Sequence, residues 1–241
     1  MFLYQPGSGY RYNSDSIFLY DFIHTHSPKG KLLDVGCGVG ILSLLCARDF
    51  DVDVTVSDKQ ERALAYARHN FSINGSMPER VVGDFLEADF ETKFDFVISN
   101  PPFYHSDVLK SRDESIHISR YAEHLPFSHF AEKVSKILAP RGYFIFCYDA
   151  SQVDMLFQTL REYRLNPEKV RFIHSKAERV AKTVMISARK GSRSMCTVLP
   201  PLIVFDDDGE YAPEAMKAFE RASTHSIKAD MEMDFKGEKG D

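Results

Sequence analysis

The chain has 241 residues, 44% of them hydrophobic and 27% charged, with a formal net charge of -5. These proportions are those of a folded globular protein with room for a substantial core, and they exclude a disordered or fibrous chain. The acidic balance also excludes general electrostatic capture of nucleic acid, so any RNA or DNA contact must come from a local basic face.

In chain order, short apolar runs predict strands at 31–35, 52–57, 80–84, 94–99, 142–148, 170–174 and 180–188. Several are continuous Val, Ile, Leu and Phe runs, the pattern of strands covered on both faces. Helical spacing lies between them. One helix begins near Ile41; over 60–74, Leu64, Ala67 and Phe71 share a face. Phe127, Phe130, Val134 and Ile137 do the same over 127–138, as do Val153, Leu156, Leu160 and Tyr163 over 151–164. Asn166-Pro167 is expected to end the last of these, because the residue before proline is driven out of the helical region. A further short strand is expected at 198–205. Alternating strands and helices predict an α/β fold with a mainly parallel sheet. Residues 102–125 read as a long polar loop, and the last dozen or so residues as a fraying tail.

The turn after the first of these strands reads Asp34-Val35-Gly36-Cys37-Gly38-Val39-Gly40. Glycines there allow a tight turn and let a ligand approach the backbone. The spacing differs from the G-x-G-x-x-G loop of dinucleotide sites, and an acid ahead of it suits a cationic ligand better than a pyrophosphate. Asp58 ends the next strand, where a carboxylate can accept both ribose hydroxyls. Asp84 ends the one after and can accept from an adenine amino group, with Phe85 beside the ring. Each aspartate alone could be a helix cap; three around one glycine loop point to S-adenosylmethionine, which carries a sulfonium and an ammonium but no phosphate.

Asn100-Pro101-Pro102-Phe103 follows the strand 94–99. An amide or arylamine nitrogen is a poor nucleophile because its lone pair is delocalised. The Asn100 side-chain oxygen and the Pro101 carbonyl can each accept one N–H of an NH₂ group, favouring a tetrahedral nitrogen and stabilising the positive charge it gains. The prolines stiffen the backbone, and Phe103 can stack on a planar substrate. No general base with a tuned pKa is required. The pair of motifs thus predicts methyl transfer onto nitrogen.

Cys37, Cys46, Cys147 and Cys196 have no metal-ligand spacing and read as reduced, packed thiols. His24 and His26 do not share a helix face and read as surface histidines, so no metal is expected. With no apolar stretch approaching ~18 residues and no charged leader, a cytoplasmic protein without a membrane partner is expected. Lys169, Arg171, Lys176, Arg179, Lys182, Arg189, Lys190 and Arg193 form a local basic excess that could be a solvated face or a phosphate-binding surface.

The two motifs resemble those of class I methyltransferases, and specifically of the amino-methyltransferases with Asn/Asp-Pro-Pro-aromatic. The resemblance implies a single Rossmann-like domain with a seven-stranded sheet whose last strand, 180–188, is antiparallel. Flanking segments narrow it. Gln5-Pro6-Gly7-Ser8-Gly9-Tyr10-Arg11 with Asp15-Ser16, then Arg112, Ser119-Arg120-Tyr121 and Ala181-Lys182-Thr183-Val184 resemble the bacterial family that methylates adenine-N6 beside the anticodon of a valine tRNA. So does the ending Pro201-Leu202-Ile203-Val204-Phe205 with Gly209-Glu210-Tyr211.

The resemblance implies a domain over 1–213, with 1–30 capping the cofactor and substrate, and a partly frayed helical tail over 214–241. It makes tRNA the expected partner of a monomer, with Tyr10, Arg11, Arg112 and Arg120 at the substrate. Phe103 stands where that family more often has Tyr, and Phe is frequent in guanine-N2 methyltransferases of ribosomal RNA, which keeps that target open. Methylation of a glutamine amide uses the same tetrapeptide, but such enzymes usually carry a helical domain before the glycine loop. A degenerate, non-catalytic RNA-binding fold is opposed by intact Asp34, Asp58 and Asn100.

Overall fold

Successive side chains of a strand point to opposite faces of the sheet, and along the central strands of this chain both faces are apolar. The computed structural model describes residues 1–7, 12–101 and 126–229. Its elements are β1 (Phe2–Gln5), α1 (Ser14–His24), β2 (Gly30–Val35), α2 (Ile41–Asp49), β3 (Val52–Ser57), α3 (Glu61–Ile73), β4 (Arg80–Val82) and β5 (Phe94–Ser99). Then follow α4 (Phe127–Ile137), β6 (Leu138–Asp149), α5 (Val153–Glu162), β7 (Leu165–His174), β8 (Thr183–Lys190), β9 (Thr197–Val198), β10 (Leu202–Ile203), α6 (Pro213–Ala222) and β11 (His225–Lys228).

The main sheet runs β10-β7-β8-β6-β5-β2-β3-β4, with β9 also pairing β7. Leu32, Phe96, Ile98, Ile145 and Met185 face a layer built from α1, α2, α3 and α6. Their neighbours Leu33, Val97, Phe144, Phe146 and Ile186 face α4 and α5. The fold is therefore three layers, α/β/α. β8 is antiparallel to both β6 and β7, while the other pairings of this sheet are parallel. β2 to β8 are the seven strands expected.

Beyond them, the single strand expected at 198–205 is two short pieces. Pro200 and Pro201 offer no N–H to a ladder and interrupt it, while the Pro200 carbonyl accepts from Arg171 Nε at 3.1 Å. Asn166-Pro167 does not end the helix before it. α5 stops at Glu162, Arg164 adopts φ 58°, and Pro167 lies inside β7 beside a register shift.

Three elements escape the sequence periodicity. α1 buries Ser16, Ile17, Phe18, Leu19, Tyr20, Phe22 and Ile23, so it has no single apolar stripe. At its end His26 is no surface residue: its ring lies against Phe22 and Tyr143, Nδ1 donates to the Phe22 carbonyl at 3.1 Å, and burial pushes its pKa down to about 4. β1 and β11 form a separate parallel pair. The other edge of β1 is completed by side chains of α3 and of the residue that caps it. Asn74 Oδ1 accepts from Phe2 N at 3.1 Å and Nδ2 donates to Phe2 O at 2.7 Å. Asn70 Oδ1 accepts from Tyr4 N at 2.7 Å and Nδ2 donates to Tyr4 O at 3.0 Å. One helical turn, about 6 Å, matches two strand residues, so two asparagines replace a strand. α6 lays Ala215, Ala218 and Ala222 into the core beside α1, and Arg221 Nε donates to Asp21 at 2.9 Å.

Candidate active site

The carboxyl ends of the central strands are tied to one another. Ser99 Oγ donates to the Val35 carbonyl at 2.7 Å, joining β5 to β2. Ser57 Oγ donates to the Gly83 carbonyl at 2.8 Å, and the Ser57 carbonyl accepts from Gly36 N at 2.8 Å and Cys37 N at 3.0 Å. Gly36, Gly38 and Gly40 all adopt positive φ, at 68°, 55° and 83°. At Gly40 a Cβ would lie 3.1 Å from Ala67 Cβ, so close approach of α3 as well as conformation demands glycine there. Around Gly36 a Cβ would meet nothing within 4 Å; that space is open to a ligand.

Two of the three expected acids stand behind this loop. Asp34, 1% exposed, accepts from Ser43 N at 3.2 Å through Oδ2, while Oδ1 is buried without a partner. Burial, reinforced by the charge of Asp58, pushes its pKa up to about 7. Asp58 accepts from Gly38 N at 2.9 Å and from Gln60 N at 2.8 Å, and burial raises its pKa. Each of its oxygens keeps a lone pair for a further donor. Asp84 is different: it accepts from Leu86 N at 2.9 Å within its own turn and lies 3.5 Å from Lys59 Nζ.

The side chain of Phe85 does not lie open beside a ligand ring. It is 4% exposed, packed edge-on against Phe130 at 5.5 Å with Lys133 Nζ 5.4 Å from its centroid. The reason is its place on the α4 face of the sheet, where burying an aromatic ring is worth more than holding it at the rim.

A cleft joins the glycine loop to Asn100 and to Tyr12 and Ser16, and no basic side chain lines it among the described residues. An orphaned buried carboxylate oxygen, a second buried carboxylate and glycine backbone open to a ligand together fit a cationic, ribose-bearing cofactor.

Asn100, at the end of β5, is 9% exposed. Its Nδ2 donates to Ser16 Oγ at 2.8 Å, and its Oδ1 accepts from Cys147 Sγ at 2.7 Å. Pro101 follows, buried. Pro102, Phe103, Tyr10, Arg11, Arg112 and Arg120 lie outside the described residues. Tyr12, Ser16 and Cys147 were not anticipated as site residues. Cys147 was within reach of the register, because Ser99 pairs with Phe146 and the next residues therefore face each other. Ser16 had only its place in the Asp15-Ser16 flank as a signal.

The basic run does not form one surface. Thr183 pairs with Ile173 and Lys190 with Leu165, so Lys176, Arg179 and Lys182 lie at the carboxyl edge, whereas Arg189, Lys190 and Arg193 lie about 23 Å away at the other. Arg171 is buried and paired with Glu214. Among the described residues no cluster of His, Cys, Asp and Glu could hold a metal ion, and no helix is long and apolar enough to cross a membrane.

This architecture, with a glycine loop after the first strand of the parallel sheet and Asn-Pro after the fourth, shares the fold of solved class I methyltransferases. Residues 8–122 match the methyltransferase small domain. The chain is 26% identical over 199 residues to the tRNA1(Val) (adenine(37)-N6)-methyltransferase of Phocaeicola vulgatus, covering 81% of this chain and 83% of that one. It is 40% identical over 77 residues to the ribosomal RNA small subunit methyltransferase C of Sodalis glossinidius, covering 32% of this chain and 22% of that one. Among solved structures, a predicted O-methyltransferase, protein Atu636 from Agrobacterium tumefaciens, superposes with a TM-score of 0.66 at 16% identity, covering 89% of this chain and 99% of that one.

Proposed function

We propose that this chain methylates the exocyclic N6 amino group of an adenine next to the anticodon of a tRNA, using S-adenosylmethionine. The observation that carries the chemistry is the shared cleft: Asn100 and the glycine loop line the same space. The adenine and the tRNA are supported by relatives of that name matching along most of their length.

The cofactor supplies an electrophilic methyl group on a sulfonium centre. Asp34 Oδ1 is suited to its ammonium and the free lone pairs of Asp58 to its ribose hydroxyls; Gly36, Gly38 and Gly40 keep the backbone open to it. Asp84, with one partner on each oxygen, keeps lone pairs for the adenine amino group of the cofactor. Asn100 Oδ1 and the Pro101 carbonyl accept the two N–H groups of the target amine, aim its lone pair, and stabilise the charge it acquires, an effect of roughly 3 kcal/mol per fixed partner. Phe103 stacks on the splayed-out base. Tyr10, Arg11, Arg112 and Arg120 contact the RNA, and Arg179 and Lys182, at the carboxyl edge of the sheet, add positive charge. The catalytic machinery lies within 1–213, which α6 and β11 complete from the carboxyl-terminal side, and the enzyme works as a monomer in the cytoplasm.

A second reading, guanine-N2 methylation of ribosomal RNA, is favoured by the 40% identity over 77 residues to an enzyme of that substrate name. Tritium transfer from labelled cofactor to total RNA and total protein, followed by nucleoside analysis, separates the two. The expected product is N6-methyladenosine in tRNA; N2-methylguanosine in ribosomal RNA supports the second reading, and label in protein alone overturns both. Asn100→Ala should keep cofactor affinity and lose at least ~100-fold in turnover, and near-wild-type turnover would refute the mechanism.

A further inference from the structure

The side-chain amide of Asn100 is held at both ends by residues outside its own motif. Ser16, from α1, is 3% exposed, and Cys147, from β6, is 0% exposed. An asparagine side chain can face either way, and only its oxygen can receive an N–H from an incoming amine. The thiol is a weak donor, and burial keeps it protonated by raising its pKa well above the usual value. The thiol donates to Oδ1, and Nδ2 in turn donates to Ser16 Oγ at 2.8 Å. Ser16 Oγ then acts as the acceptor. Oδ1 has two lone pairs, and the thiol uses one. The other remains for a substrate, in the cleft that Ser16 and Asn100 both line.

We propose that Ser16 is a positioning residue: by accepting from Asn100 Nδ2 it fixes the amide so that its carbonyl oxygen is presented to the acceptor amine before the substrate arrives. The inference rests on the reading that Asn100 accepts an N–H of that amine. Without Ser16 the buried NH₂ has no partner, and the amide is free to rotate towards a geometry that wastes its oxygen. Cys147 acts as the second stop.

The test compares Ser16→Ala, Ser16→Thr, Cys147→Ser and Asn100→Ala by single-turnover kinetics at saturating RNA and cofactor, with calorimetric affinity for S-adenosylhomocysteine and thermal unfolding alongside. Ser16→Ala should lower the turnover rate at least ~10-fold, the scale of one lost hydrogen bond, with product affinity within about two-fold of wild type. Ser16→Thr, which keeps the hydroxyl, and Cys147→Ser, which keeps a donor, should each retain most of the rate. A wild-type rate in Ser16→Ala beside an inactive Asn100→Ala would overturn the positioning role and leave the proposed reaction standing. A ten-fold loss of product affinity at an unchanged rate would overturn it too, making Ser16 a cofactor contact. Full activity of Asn100→Ala would remove the reading beneath both.

Discussion

Asn70 Nδ2 donates to the Val39 carbonyl at 2.9 Å, so a residue of α3 holds the glycine loop in place. The same amide accepts from Tyr4 N and donates to Tyr4 O, and Asn70 is 0% exposed. One side chain thereby couples the glycine loop to the amino-terminal strand, which in turn pairs with β11 near the carboxyl terminus. Asn70→Ala strands three backbone groups away from water. It should cost about 3 kcal/mol, lower the melting temperature by roughly 10 °C and weaken cofactor binding more than tenfold. Asn74→Ala removes bonds that are mostly at the surface and should cost about 1 kcal/mol. Scanning calorimetry of the two variants checks this, and equal losses would contradict it.

Asp34 links stability to pH in the direction opposite to an ion-paired carboxylate. Its folded-state pKa of about 7 lies above the ordinary value of 3.8. Its contribution to stability is therefore fully present below pH 3.8 and is lost as pH rises through 7, a swing of roughly 4 kcal/mol. Asp34→Asn should raise the melting temperature of the ligand-free protein at pH 8, with the gain shrinking as pH falls below 7. The same change should reduce affinity for a cationic cofactor. In the wild-type protein that affinity should increase from pH 6 to pH 8 as the carboxylate ionises. Thermal unfolding and calorimetric titration across this range test both statements; a pH-independent gain would show that burial of Asp34 is not its cause.

Gly36 and Gly40 separate conformation from contact. Both have positive φ, but a Cβ on Gly40 meets Ala67 Cβ at 3.1 Å, whereas one on Gly36 meets nothing within 4 Å. Gly40→Ala should cost about 3 kcal/mol of stability, from backbone strain plus displacement of α3. Gly36→Ala should cost only about 1 kcal/mol yet reduce cofactor affinity at least as much, because the methyl group enters the space a ligand needs. Melting temperatures and S-adenosylhomocysteine affinities of the two variants provide the check.

Local signals determined a good part of this molecule. The apolar runs of β2, β3, β5, β6 and β8 could be read directly, because strands buried on both faces have nowhere to place polar residues. The glycine loop and the Asp34, Asp58 and Asn100 positions were legible too, since each sits where a strand hands over to a turn and its chemistry is carried within a few residues. β1 and β11 were not legible: four residues each are too short for periodicity, and β1 draws four hydrogen bonds from Asn70 and Asn74. α1 was missed because a helix buried on most sides has no amphipathic stripe.

Only the tertiary structure decided what surrounds the candidate site residues. Residues 16, 100 and 147 meet because α1 packs against the sheet where β5 and β6 run in register, a juxtaposition no spacing along the chain encodes. Phe85 turned inward because its strand end borders the α4 layer. The basic run came apart because β8 crosses the sheet between its two halves, leaving the cations before Thr183 at one edge and those after Ala188 at the other. The amino-acid sequence by itself determined which groups are available for chemistry, since that is a property of residue type and local turn. Their partners, and hence the orientation of the Asn100 amide and the protonation of Asp34, depend on burial and neighbours that exist only once the layers have closed.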